Sequence, residues 1–264
     1  MKRSTRLAAS LATATVAVLL SVGLGVGRTQ EQTSASADLA RLPATPAPAL
    51  KVGRPEQLSS GRYLSRWTVV RGPTVAHAEP SASSAAVADL PTRAPEGTPN
   101  LLAVLRVRTG VDGNLWVEVR LPLLPNGRVG WVRRASLGPY QTVDTHLVVD
   151  RARLRVTLYR EGQIVFNAPV GIGTEAWPTP AGEFTVRSVL TRYASPFYGP
   201  VSFGTTARSA VLTDWPASGF VGIHGTNAPQ LLPGRVSHGC IRLSNRDILR
   251  LAQLMPVGTP VTIQ

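Results

Sequence analysis

His146-Leu147-Val148-Val149-Asp150, Leu154-Arg155-Val156-Thr157-Leu158-Tyr159 and Ile164-Val165-Phe166 decide the class of fold. Each run is short, rich in β-branched and aromatic residues, and bounded by polar or turn-forming residues, so each predicts a strand. Glu161-Gly162 between the second and third runs predicts a tight reversal, and the two strands pair back as a hairpin. Further on, Thr179-Pro180-Ala181-Gly182 interrupts the chain before Glu183-Phe184-Thr185-Val186 resumes an extended pattern. The stretch from Tyr193 to Phe220 has little periodicity and reads as a long functional loop, one wall or lid of a cleft, whose Tyr198, Phe203 and Trp215 are expected first as apolar packing and second as contacts to a ligand. Ser244 predicts a helix cap with Asp247 placed to bond back. Ile248, Leu249, Leu251, Ala252 and Leu254 supply the apolar face of that short helix, Pro256 stops it, and Val261-Thr262-Ile263-Gln264 predicts a last strand.

Upstream of His146 the same reasoning finds a second β-rich segment. Trp67-Thr68-Val69-Val70, Leu101 to Arg108, and Leu115-Trp116-Val117-Glu118-Val119-Arg120-Leu121 are strand patterns, and Pro125-Asn126-Gly127 turns into Val129-Gly130-Trp131-Val132. Together with Ala78-x-Pro80 and Ala86-Val87, these runs resemble a bacterial Src-homology-3-like domain. The resemblance implies a small β-barrel over 65–140 that binds wall peptides or acts as a spacer.

Composition agrees with a turn-rich β-protein: Gly 24 and Pro 22 against few aromatics in 264 residues. The formal net charge is +13, and Lys2 and Lys51 are the only lysines. Such a surface favours an anionic partner, but no basic stripe with interleaved aromatics supports nucleic-acid binding. Lys2, Arg3 and Arg6 precede an uncharged, Ala-, Val- and Leu-rich run to Gly27, and Ala35-Ser36-Ala37 offers a cleavage site, so 1–37 reads as a signal peptide or retained signal anchor. Membrane contact is expected only through that segment. The Ala-, Pro- and Ser-rich stretch 38–64 reads as an extended tether. The protein is therefore expected outside the cytoplasm, in the cell wall, the periplasmic space or on the outer face of the cytoplasmic membrane.

Chemistry concentrates in two blocks, Val221-Gly222-Ile223-His224-Gly225-Thr226-Asn227 and Ser237-His238-Gly239-Cys240-Ile241-Arg242-Leu243. They hold the sole cysteine and two of the four histidines. A thiol with an ordinary pKa of about 8.5 is mostly protonated at neutral pH, so a thiol nucleophile needs a base to take its proton. An imidazole can do this and then protonate the leaving amine. Gly239 lets the backbone approach closely and present N–H groups to an oxyanion. A lone cysteine is otherwise a small core hydrophobe. A zinc site from His224, His238 and Cys240 lacks a second cysteine or a completing carboxylate. The blocks therefore support a Cys-His acyl-transfer site.

His224-Gly225-Thr226 followed by Ser237-His238-Gly239-Cys240-Ile241-Arg242 resembles the signature of the L,D-transpeptidase catalytic domain of the YkuD type. Val170-Gly171-Ile172-Gly173 and Thr179-Pro180-Ala181-Gly182-Glu183-Phe184 match the family's glycine strand and its Thr-Pro-x-Gly-x-Phe segment. The resemblance covers 144–264 and implies a β-rich catalytic domain with a short C-terminal helix. It further implies that Cys240 is the nucleophile, that His224 is the acid/base with a backbone carbonyl orienting its ring, and that His238 supports the thiolate. Ser237, Gly239 and Gly225 would shape the loop, with the Gly239 and Cys240 N–H groups as oxyanion donors. Arg242, Thr226 and Asn227 would bind substrate.

By the same resemblance the partners are peptidoglycan stem peptides. Cys240 would release the terminal D-Ala of a tetrapeptide stem and pass the acyl group to the amine of another position-three diamino acid. No metal or organic cofactor enters, and carbapenem-type β-lactams would acylate Cys240. The same residues suit an L,D-carboxypeptidase, a crosslink hydrolase or a protein-to-wall attachment enzyme. A non-catalytic wall-binding protein is a more distant reading.

Overall fold

The computed structural model describes residues 54–60, 64–191, 196–212 and 219–264. The stretch 1–37, expected to be a signal peptide or anchor, most of the 38–64 stretch expected to be a tether, Tyr193 and Trp215 lie outside the described residues. The architecture is mainly β. The amino-terminal module contains β1 (Glu56–Gln57), β2 (Ser65–Val69), β3 (Thr74–His77), β4 (Ala86–Leu90), β5 (Leu101–Thr109), β6 (Leu115–Arg120), β7 (Val129–Arg133) and β8 (Gln141–Val143). These pair in the order β4-β3-β7-β6-β5-β2-β8, with β1 added to β5. Val104, Val117, Val119 and Val132 are fully buried in its core. The tether ends earlier than its composition predicts. Glu56 and Gln57 pair with Val107 and Arg106, and the Ser59 hydroxyl donates to the Val104 carbonyl at 2.6 Å. Both residues of β1 are exposed, so backbone pairing alone makes this strand and no apolar pattern announces it.

The second module follows with β9 (Thr145–Asp150), β10 (Arg155–Arg160), β11 (Gln163–Pro169), β12 (Gly171–Gly173), β13 (Gly182–Leu190), β14 (Ser202–Arg208), β15 (Phe220–His224), β16 (Gly234–Ser237), β17 (Ile241–Arg242), α1 (Asn245–Leu254) and β18 (Pro260–Ile263). Ten strands form one mixed sheet in the order β11-β10-β9-β18-β13-β14-β15-β17-β12-β16. The predicted hairpin is β10 with β11. Glu161 (φ 50°) and Gly162 (φ 81°) both adopt positive φ, the backbone of a two-residue turn that matches strand twist. Its core gathers Leu147, Val156, Leu158, Phe203, Ile223, Ile241 and Leu251; burial of each large side chain contributes about 1.5–3 kcal/mol.

Two expectations change. The stretch read as a long loop contains β14, a strand near the middle of the sheet whose side chains are buried on both faces. Strands covered on both sides lose the in–out alternation that marks a half-exposed strand. In α1 the Ser244 hydroxyl accepts from the Asp247 N–H at 3.1 Å and donates to its carboxylate at 2.7 Å. Ile248 and Leu251 are buried, whereas Leu249 is 46% exposed and lies off the packed face.

Candidate active site

Strands β15 and β17 run parallel, with Ile223 opposite Ile241 and His224 opposite Arg242. Successive side chains on a strand point to opposite faces. Val221, Ile223, Ile241 and Leu243 enter the core, which leaves Gly222, His224, Cys240 and Arg242 together on the other face. The Gly222 N–H points at the Cys240 Sγ at 3.4 Å, and a Cβ added at Gly222 would stand 3.9 Å from the His224 ring. Thus Gly222 marks the floor between sulfur and imidazole. Nothing in the motifs predicts that role.

His224 is buried, and its Nδ1 lies 2.6 Å from the Gly225 carbonyl. A carbonyl only accepts, so Nδ1 carries the hydrogen and Nε2 is the basic nitrogen. Gly225 therefore orients the base. It has no room for a side chain, because a Cβ there would come within 2.3 Å of Asn245 Oδ1. Ser237 closes the nucleophile loop by donating from Oγ to the Cys240 carbonyl at 2.5 Å.

Gly239, at φ +110°, adopts a backbone that favours glycine. Its N–H donates to Ser237 Oγ at 3.1 Å, so it is engaged within the loop and does not face an oxyanion as expected. Thr179 ties this loop to the glycine strand. Its hydroxyl accepts from the Gly173 N–H at 2.9 Å and donates to the Gly239 carbonyl at 2.7 Å. Thr179→Val is expected to remove both bonds, lower stability by about 1–3 kcal/mol and slow acylation of Cys240. Denaturant melts and alkylation rates measure the two effects.

Two cavities meet at the Cys-His pair. Tyr198, Phe220, Val221, His224 and Cys240 border both. The first continues to Phe197, His238 and Arg242; the second continues past Gly222 and Gly204 to Arg187 and Glu96. His238 is exposed and stacks on Trp177 with ring centroids 4.2 Å apart. Arg242 lies with its guanidinium 4.5 Å above the Phe197 ring, and its buried Nε has no hydrogen-bond partner. Thr226 and Asn227, expected beside substrate, line neither cavity. The Thr226 hydroxyl accepts from the Ala228 N–H and shapes the turn, while Asn227 is exposed. Among the described residues no group of three or more His, Cys, Asp or Glu side chains is placed to hold a metal ion.

Burial pushes the Cys240 thiol above its ordinary value, against smaller opposing effects of the Gly222 N–H and the Arg242 charge. Burial also lowers His224 from 6.5 to about 4; the Gly225 hydrogen bond opposes this and Arg242 adds to it. The resting pair is therefore neutral thiol and neutral imidazole at pH 7.

Two consequences are measurable. The acid limb of acylation is expected near pH 4 instead of 6.5. Between those values the unfolded chain binds a proton at this histidine that the folded chain does not. Stability from His224 is thus complete above pH 6.5 and falls by roughly 3 kcal/mol as pH drops to 4. Urea melts of wild type and His224→Gln at pH 7 and pH 4.5 isolate this contribution; an identical pH response in both would contradict it.

Residues 144–263 match the family model of the YkuD type, described as the L,D-transpeptidase catalytic domain. A Bacillus subtilis (strain 168) protein that carries the name of an L,D-transpeptidase, YkuD, is 35% identical over 125 residues, which is 47% of this chain and 68% of the relative. Its namesake from Bacillus licheniformis is 35% identical over 161 residues, covering 61% of this chain and 84% of the relative. Among solved structures, the catalytic domain of an E. faecium L,D-transpeptidase aligns over 46% of this chain and 97% of its own, at 25% identity and a TM-score of 0.36.

Proposed function

The chain belongs to the YkuD family of L,D-transpeptidases, and from that premise we propose that it crosslinks peptidoglycan through a thioester on Cys240. One observation carries the reading. The Gly225 carbonyl fixes the tautomer of His224, so its basic nitrogen is Nε2, and this ring shares two open cavities with the Cys240 sulfur.

The sulfur attacks the carbonyl of the position-three diamino acid in a tetrapeptide stem as Nε2 takes the thiol proton. The oxyanion forms beside the loop, where the Cys240 N–H is the donor we assign to it, since the Gly239 N–H holds Ser237. The intermediate collapses, His224 returns the proton to the leaving D-Ala amine, and an acyl thioester remains. The side-chain amine of a second stem then attacks that thioester, gives its proton to Nε2 and releases the thiol. Because the resting pair is neutral, no pre-formed ion pair has to be discharged, and negative charge develops on sulfur only as the proton moves. Arg242, which lines the first cavity with its guanidinium above the Phe197 ring, is the residue we assign to a stem carboxylate.

The enzyme works outside the cytoplasm, as the basic charge and the amino-terminal export pattern favour, and the amino-terminal β-module is a Src-homology-3-like unit carried beside it. Defined tetrapeptide muropeptides incubated with the chain test the reading by product mass. Dimers lacking one D-Ala are the predicted product. Release of D-Ala without dimers would assign the site to a carboxypeptidase, and unchanged muropeptides would reject the enzyme reading.

A further inference from the structure

The loop between β4 and β5 reaches from the amino-terminal module into the second cavity. Within it, the Ala94 N–H bonds the Thr98 carbonyl at 2.8 Å, and the Thr98 hydroxyl bonds Glu96 at 3.1 Å, so the Glu96 carboxylate is held in place. That carboxylate accepts from Arg187 at 2.7 Å and from the Ser188 hydroxyl at 3.1 Å, both on β13 of the other module. The pair is largely buried, with side-chain exposures of 6% for Arg187 and 12% for Glu96. Arg187 in turn lays its guanidinium 3.6 Å above the ring of Phe220.

A separate part of the same module converges on that ring. Asn126, in the Pro125-Asn126-Gly127 turn, donates from Nδ2 to the Arg208 carbonyl at 2.8 Å and accepts from the Arg208 N–H at 3.1 Å. Arg208 is the strand partner of Phe220, and its guanidinium stands 5.0 Å from the Phe220 ring. Two independent loops thus hold the Arg187 side chain and the Arg208 backbone, the two positions packed against one phenylalanine. Phe220 borders both cavities beside Cys240.

We propose that the amino-terminal module completes the active site, with Glu96 and Asn126 as positioning residues that hold Phe220, the wall shared by both cavities, against the substrate. Arg187 and Arg208 both carry positive charge beside the ring, and the Glu96 carboxylate neutralises Arg187 there. Removing one partner of a buried pair leaves an uncompensated charge, so the remaining guanidinium swings out and the ring it covers loses its support. A wall that contacts substrate equally before and during reaction alters KM and leaves kcat nearly intact. The inference rests on the transpeptidase reading above.

The test uses the whole chain, tetrapeptide stems and iodoacetamide, a reagent small enough to reach Cys240 whatever the wall does. Glu96→Ala and Asn126→Ala are each expected to raise KM about tenfold while kcat changes by less than about threefold. Alkylation of Cys240 stays within about twofold of wild type, since the Cys-His chemistry is intact. In an Arg187→Met background, which leaves the Glu96 carboxylate unpaired, Glu96→Ala is expected to raise KM no further and to restore stability, because Glu96 acts on the wall through Arg187. That double variant buries no unpaired charge and remains readable if Glu96→Ala alone does not fold.

Glu118→Ala breaks the Arg106–Glu118 ion pair inside the amino-terminal module and is expected to lower thermal stability without moving KM. A wild-type KM in Glu96→Ala, a further KM rise when Glu96→Ala is added to Arg187→Met, or an equal KM rise in Glu118→Ala overturns the inference while the transpeptidase reading stands. A wild-type chain that is alkylated at Cys240 yet makes no product from stems overturns both.

Discussion

Cys240→Ala is expected to lower product formation from tetrapeptide stems by about 10⁵–10⁶-fold, the range seen when the nucleophile of an acyl-transfer enzyme is removed. Cys240 carries the only thiol in the chain, so no neighbour can substitute. The remaining cavities still bind stems, and KM for any residual turnover should stay near wild type. Cys240→Ser should be almost as inactive, because an alcohol is far less acidic than the thiol whose proton His224 must take. Steady-state assays with mass detection check both variants. Activity within tenfold of wild type in Cys240→Ala would remove the thioester from the mechanism.

The second large effect is that of His224→Gln, expected to slow acylation by about 10⁴-fold at neutral pH. The argument rests on the state of the thiol. Burial keeps Cys240 protonated well above neutrality, so without Nε2 only a rare thiolate can attack. The variant should therefore accelerate about tenfold per pH unit through the neutral range, as the thiolate fraction rises. Wild type, which transfers its proton within the pair, should be flat there. Rapid-quench measurement of D-Ala release between pH 6 and 9 separates these shapes. A flat profile in the variant would show that another group serves as base.

How much of this was legible from sequence differs from strand to strand. The β10–β11 hairpin declares itself, because Leu154, Val156 and Leu158 alternate with polar residues and Glu161-Gly162 has the backbone the turn demands. The central strand β14 does not. Its Ser202-Phe203-Gly204-Thr205-Thr206-Ala207-Arg208 run is packed on both faces, and small and polar residues there satisfy neighbouring strands instead of a water boundary. Apolarity alone puts Leu249 on the helix's packed face, although the packed stripe runs through Ile248 and Leu251.

The site shows the same division. His224 and Cys240 are legible because their chemistry is explicit in the side chains and their spacing with glycine is a recognisable pattern. Gly222 contributes through a backbone N–H, which no residue type reveals. The motif suggests the Gly239 N–H as an oxyanion donor, but the Ser237 hydroxyl lies close enough to take it, a local competition that motif spacing leaves open. The motif places Thr226 beside substrate, but its hydroxyl meets the backbone two residues on, as threonine often does in turns. Glu96 was silent. It acts across a module boundary on Arg187, and pairing between distant segments exists only once the chain has folded.

Intact mass after exposure to a carbapenem tests the central claim most directly. Opening of the β-lactam ring by sulfur expels no fragment, so the wild-type chain is predicted to gain the mass of one whole inhibitor, with peptide mapping locating it on Cys240. Cys240→Ala should gain nothing. An adduct that survives the alanine substitution, or a folded wild-type chain that stays unmodified while iodoacetamide still labels its thiol, would contradict the account.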